Sequence, residues 1–148
     1  MPATDKALEN IGFMLQDVAR LMRSDFNRRV QELELTQAQW RALAILSRNP
    51  GMRQQHLSDT LEMQPISVGR LIDRMAAAGW VERRQDPRDR RAVQIYLTDR
   101  AAPILSKIKK HGAATRAVAL AGISPADQEK FLGMLSRMRE NMCAECSK

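Results

Sequence analysis

Gln64–Thr98 reads QPISVGRLIDRMAAAGWVERRQDPRDRRAVQIYLT, and three kinds of local structure follow one another within it. Pro65 suits a first helical position, where its missing N–H would have no intrahelical partner. Val68, Leu71, Ile72 and Met75 recur at i, i+3, i+4 and i+7, the apolar stripe of a helix. Gly79 supplies a left-handed residue at the helix end, and Trp80 is placed to fold back onto Met75. Further on, Val93, Ile95 and Leu97 alternate with Gln94 and Tyr96, the period of a half-buried strand. Between helix and strand lies a hairpin tip dense in arginine, where Asp86 and Asp89 sit among Arg83, Arg84, Arg88, Arg90 and Arg91. Like charges repel, so such a cluster is either a solvated face or a surface built to meet an anion.

The segments before this stretch are helical. Leu8, Ile11, Leu15, Val18, Met22 and Phe26 predict one long amphipathic helix ending near Val30. Its apolar length exceeds what one small lobe can cover, which points to packing against a partner chain. Thr36 and Gln39 form the S/T-x-x-E/Q pattern of a capping box, with Leu35 and Trp40 as a hydrophobic staple. Asn49, Pro50 and Gly51 close that helix. A short helix over about Arg53 to Leu61 buries Leu57 and Leu61, and a tight turn at Glu62 to Gln64 leads to Pro65. Gly69, in mid-helix, costs roughly 1 kcal/mol relative to Ala; a close backbone approach would account for it. After the hairpin, Thr98 is a cap for a further helix, whose start Pro103 delays or kinks. Ser124 and Pro125 open the last helix, with Phe131, Leu135, Met138 and Met142 on its apolar face.

Two short helices joined by a tight turn and followed by a basic hairpin make a winged helix-turn-helix. The expected fold is mainly α with a small β wing, flanked by long helices. It divides into a lobe over about 35–98 and dimerisation helices over about 5–31 and 99–146. Gln64, Ser67, Arg70 and Arg74 share a stripe away from Val68, Leu71 and Met75, on a helix opened by Pro65. A major groove accepts an α-helix, and Arg there can bind guanine O6 and N7 bidentately. Arg88, Arg90 and Arg91 would then lie over a minor groove, where arginine responds to width and negative potential. Asp86 and Asp89 read as internal partners that hold the loop and aim selected guanidiniums. Arg83 and Arg84 read equally well as a solvated face or as general basic surface for phosphates.

The rest of the composition agrees. Lys plus Arg number 24 against 17 Asp plus Glu in 148 residues, a formal net charge of +7. That suits a polyanion, with nucleic acid the first candidate and an anionic membrane surface the second. No apolar run reaches the roughly 18 residues of a membrane span, and MPATDKALEN lacks a signal-peptide layout. The expected location is the cytosol. Cys143 and Cys146 have the spacing of zinc ligands, but zinc wants four and only two cysteines exist. They read as incidental, ahead of a thiol sensor or a site shared between chains. His56 and His111 have no evident carboxylate or serine partner in the sequence, and no Gly-rich phosphate loop is present. No catalytic residues, metal or cofactor are expected. The competing class is a winged-helix module that binds an acidic protein.

Three stretches resemble the MarR family of winged-helix regulators, and within it the SlyA branch: LELTQAQWRALAIL (33–46), QPISVGRLIDRMAAAGWVERR (64–84) and the wing DPRDRRAVQIYLT (86–98). LAGISPADQEKFLGML (120–135) is similar to the closing helix of that branch. The resemblance implies a homodimer with interlocked first and last helices. It also implies a bacterial transcriptional regulator, a repressor or anti-silencer, often released from double-stranded operator DNA by a small aromatic or phenolic acid. Carried over by position, Arg70 matches the major-groove arginine, and Arg90 and Arg91 match the wing-tip pair. The effector-binding residues are left unmapped. Pro103 departs from the family's usual pattern after the wing.

Overall fold

The structure, a computed structural model, describes residues 5–146. Residues 1–4 and 147–148, part of the single 1–148 domain read from the sequence, lie outside the described residues. The elements are α1 (Asp5–Leu8), α2 (Ile11–Arg29), α3 (Gln37–Arg48), β1 (Met52–Arg53), α4 (Gln54–Leu61), α5 (Pro65–Ala77), β2 (Val81–Asp86), β3 (Asp89–Leu97), α6 (Ala102–Ala119) and α7 (Pro125–Cys146). Mostly helical with one small antiparallel sheet, this is the expected winged-helix architecture.

The first helix is not continuous. It breaks at Glu9–Asn10, where the Asn10 amide donates to the carbonyl of Lys6 (3.1 Å) and ends α1. The helix also tightens into a 3₁₀ turn at Val30–Leu33, after which Glu34 takes a left-handed φ of 54°. The chain thereby reverses into α3. There the capping box forms as read: the Gln39 N–H donates to Thr36 Oγ1 (3.2 Å) and the Thr36 N–H to Gln39 Oε1 (3.0 Å).

Trp40 links α3 to α2. Its ring meets Phe26 edge-on at 4.4 Å, and its Nε1 donates to Asn27 Oδ1 (2.6 Å), so it anchors the lobe to α2. The lobe's core is built from Leu43 and Leu46 of α3, Leu57 and Leu61 of α4, and Val68, Leu71, Ile72 and Met75 of α5, closed by Val81 and Ile95 of the sheet.

α5 ends in a Schellman turn. The Trp80 N–H reaches the carbonyl of Met75 (3.0 Å) and the Gly79 N–H that of Ala76 (2.9 Å), with Gly79 at φ 82°. A side chain at Gly79 would also strike Arg100. The sheet has the order β1-β3-β2. The two-residue β1, not foreseen from the sequence, pairs Met52 with Ile95 and Arg53 with Gln94. Thr98 does not cap through its side chain; its hydroxyl donates to the Gly79 carbonyl instead. A 3₁₀ turn at Asp99–Ala101 follows, so α6 starts late, with Pro103 in its first turn.

α2 packs along α6, and Asp25 ties them together. Its carboxylate accepts from Arg29 Nε (2.7 Å), from Thr115 Oγ1 (2.9 Å) and from Arg28. The Arg29 bond, then the Thr115 hydroxyl, lower its pKa from 3.8 to about 2. A pKa below the unfolded value stabilises the fold above about pH 4, and that contribution is lost as pH falls towards about 2. Asp25→Asn should therefore flatten the pH dependence of urea-unfolding stability in that window. An unchanged slope would remove Asp25 from the acid response.

Candidate nucleic-acid interface

α5 presents one polar face outward because its apolar stripe is spent on the core. Gln64 is the N-cap residue, Pro65 begins the helix, and Gln64, Pro65, Ser67, Arg70 and Arg74 are all exposed. Ile66 shares this face, 68% exposed. An isolated apolar residue among polar ones carries no signal in the helical periodicity.

The wing is held from within by carboxylates. Asp86 is buried at 4% exposure; its Oδ1 accepts the Arg88 N–H (2.8 Å) and its Oδ2 accepts from Arg53 Nε (2.8 Å). The backbone bond from Arg88, then the Arg53 guanidinium, lower its pKa. Asp89 Oδ1 accepts the Arg91 N–H (2.9 Å). The two aspartates thus shape the loop through backbone N–H groups. The guanidinium held by Asp86 belongs to Arg53, outside the wing. Arg88, Arg90 and Arg91 are exposed, and none of the ion pairs among the described residues uses them, Arg70 or Arg74. Five guanidiniums therefore face solvent outside every ion pair among the described residues, Arg88 alone feeling a carboxylate, that of Asp86, at longer range. An open groove of about 300 Å³ runs between Pro65 and the base of the wing, past Gln54, Asp89 and Arg91.

Arg83 and Arg84 behave differently from that set. Opposed residues of an antiparallel pair share a face, and Arg83 lies opposite Ile95, so it points inward towards α5. It pairs with Asp73 Oδ1 (2.7 Å) and donates to the Gly69 carbonyl (3.0 Å) and to Gln54 Oε1 (3.2 Å). Arg84, on the outer face, pairs with Glu82 and stacks over the Tyr96 ring at 4.1 Å. Arg83 clamps the sheet to α5 and α4. A Cβ at Gly69 would meet only Gln54 Nε2, at an ordinary 3.7 Å, so steric crowding does not explain this glycine. Arg83→Ala should loosen α5 against the wing and blur base preference without lowering the salt slope of DNA binding. A slope reduced by about one per chain, with preference intact, would instead make Arg83 a phosphate contact.

The remaining chemistry-bearing residues fall elsewhere. His111 does find a carboxylate, Glu32 Oε1 at 2.8 Å, joining α6 to the 3₁₀ turn. Cys143 and Cys146 are exposed on the last turns of α7. No group of three or more His, Cys, Asp or Glu among the described residues is arranged for a metal ion. No described helix is long and apolar enough to cross a membrane.

The MarR family model matches residues 35–93, from just before α3 into β3 of the wing. The transcriptional regulator PA3341 is 30% identical over 88% of this chain and 96% of its own, with a TM-score of 0.77. A MarR-family transcriptional regulator from Silicibacter pomeroyi is 25% identical over 95% of this chain and 96% of its own, at a TM-score of 0.79. The transcriptional regulator SlyA is 26% identical over 92% and 96%, at 0.74. With winged-helix lobe, flanking helices and sequence all in agreement, the chain belongs to the MarR family, whose members are transcriptional regulators rather than enzymes.

Proposed function

We propose that the protein is a homodimeric, sequence-specific DNA-binding regulator that inserts α5 into the major groove and lays its wing over the adjacent minor groove. The observation that carries this is the set of exposed guanidiniums outside the ion pairs among the described residues, Arg70 and Arg74 on α5 with Arg88, Arg90 and Arg91 on the wing, the start of α5 and the wing bordering one groove at Pro65 and Arg91. In this reading Gln64, Pro65 and Ser67 line the approach of α5 to the bases, and residues 35–98 form the DNA-binding lobe. Residues 5–31 and 99–146 form the dimer base. α7 fully buries none of its own side chains, and Val18, Met22, Leu120, Phe131, Leu132 and Leu135 border an apolar groove of about 780 Å³. A second chain would cover it. A regulator acting on DNA in this way would work in the bacterial cytoplasm, at the nucleoid.

The test is binding of labelled duplex in the presence of excess nonspecific competitor, over a salt series. Selective binding that weakens steeply with salt supports the proposal, because phosphate contacts release counterions. Binding that the competitor abolishes, together with tight binding of an acidic protein, would favour the interaction-module reading.

In the same reading a small aromatic or phenolic acid would relieve repression or silencing by entering a crevice beside Trp40. A crevice of about 200 Å³ between α3 and α6 is floored by Phe26 and Trp40, with Arg48, Lys109 and Arg116 at its rim. Apolar walls with a few placed charges suit a small anionic ring. An occupant there would shift the lobe against α2 and α6. Benzoate titrated into Trp80→Phe protein, where Trp40 alone reports, should quench fluorescence saturably and weaken operator binding. No change up to the solubility limit would dismiss this crevice.

A further inference from the structure

We infer that Ile66 is a specificity residue that packs on the C5 methyl of a thymine in the major groove, one or two base pairs from the guanine met by Arg70. The inference rests on the reading of α5 as the helix that enters the groove, and it adds a base that this reading does not name.

Ile66 stands apart in its surroundings. The other exposed large apolar side chains among the described residues lie between Leu8 and Leu21 or between Val118 and Met142. Those belong to the helices that a second chain would cover. Ile66, 68% exposed in the first turn of α5, is far along the chain from both groups and is held on the lobe. A second copy that buries the terminal helices does not account for it.

Its direction is set by the helix. Ile66, Arg70, Asp73 and Ala77 follow one another at i, i+4, i+7 and i+11 and so share one face. That face points away from the buried Val68, Leu71, Ile72 and Met75. A β-branched residue is a poorer helix former than Ala, Gln or Lys, and leaving it in water gains nothing from burial. Both losses are recovered if a ligand supplies an apolar partner.

The floor of the major groove offers one such group. Every base edge there shows a hydrogen-bond donor, an acceptor or both, and thymine alone of the four standard bases adds a methyl. The N-terminal residues of a recognition helix are the ones that reach base edges, and Ile66 follows Pro65 at the start of α5. Four residues separate it from Arg70, roughly 6 Å along the helix axis. Base pairs are spaced about 3.4 Å apart, which places the methyl within about two base pairs of the guanine. Asp73, the acidic member of the face, is held back by Arg83 (2.7 Å).

The test uses an operator recovered by selecting bound duplexes from random DNA. Each thymine is replaced in turn, symmetrically in both half-sites, by deoxyuridine, which deletes the methyl and keeps the pairing and hydrogen-bonding groups. Dissociation constants are measured for the parent chain, Ile66→Ala and Ile66→Val, with thermal unfolding beside them. One thymine per half-site, next to the guanine whose preference Arg70→Ala relaxes, should matter. Its replacement should weaken the parent about three- to fivefold per half-site, the worth of one buried methyl. The same replacement should leave Ile66→Ala unchanged and affect Ile66→Val by an intermediate amount. Deoxyuridine that is neutral everywhere for the parent, or equally harmful to parent and Ile66→Ala, would overturn the inference while leaving the groove reading intact. Failure to select any sequence at all would overturn both.

Discussion

Arg70→Ala is expected to weaken binding to the best operator by about 1–3 kcal/mol per half-site and to relax preference at one base pair in each. Arg70 is exposed on the outward face of α5 and enters none of the ion pairs among the described residues, so no internal partner competes for its guanidinium. Two half-sites double the effect in free energy. Arg90→Ala should act differently, because wing contacts report groove width and potential rather than a base code. It should lower affinity and blunt discrimination by flanking A·T content, leaving the preference at the Arg70 position intact. Neither variant should shift thermal unfolding, since both side chains lie outside the buried core. If Arg90→Ala unfolded the protein, or altered the same base pair as Arg70→Ala, the division between helix and wing would be wrong.

Leu132→Glu should produce the other large effect. Leu132 is 68% exposed in the single chain and borders the apolar groove with Phe131 and Leu135. A carboxylate there leaves the lobe untouched, but buried unpaired in a dimer it would be costly. The expected result by light scattering is the 16.8 kDa chain mass instead of twice that value. Two lobes on one base act as a linked pair, so operator affinity should fall by about 10²–10⁴ when the link is lost. A Leu132→Glu protein that stays dimeric with parental affinity would move the dimer contact away from this groove.

How much of this was legible in advance depends on whether each feature is local. The Thr36–Gln39 box and the turn at Gly79 involve neighbours within a few residues, and both form as the sequence implies. β1 was not legible: Met52 and Arg53 are a strand only because Ile95 and Gln94 lie beside them. The bond from Arg53 to Asp86 spans 33 positions and leaves no local trace. The break at Asn10 comes from a polar side chain turning back onto the backbone, which apolar periodicity does not register.

Arg83 is the instructive case. Counted as one more arginine in a basic run, it reads as solvated surface. Counted in strand register, Val81, Arg83 and Gln85 share the face of Leu97, Ile95 and Val93, so an inward guanidinium needing acceptors was already written in the alternation. The exposed guanidiniums of the candidate site were legible because no ion pair among the described residues takes them up. The crevice beside Trp40 was not, since Phe26, Trp40 and Arg116 come from three separate helices.

Selection of bound sequences from random duplex DNA by the full chain, with the stoichiometry of the bound complex measured alongside, tests the central proposal most directly. The expected product is a pseudopalindrome with half-site centres roughly 10 base pairs apart or a multiple of that, occupied by two chains. No enrichment over random sequence, or an asymmetric site filled by one chain, would contradict it.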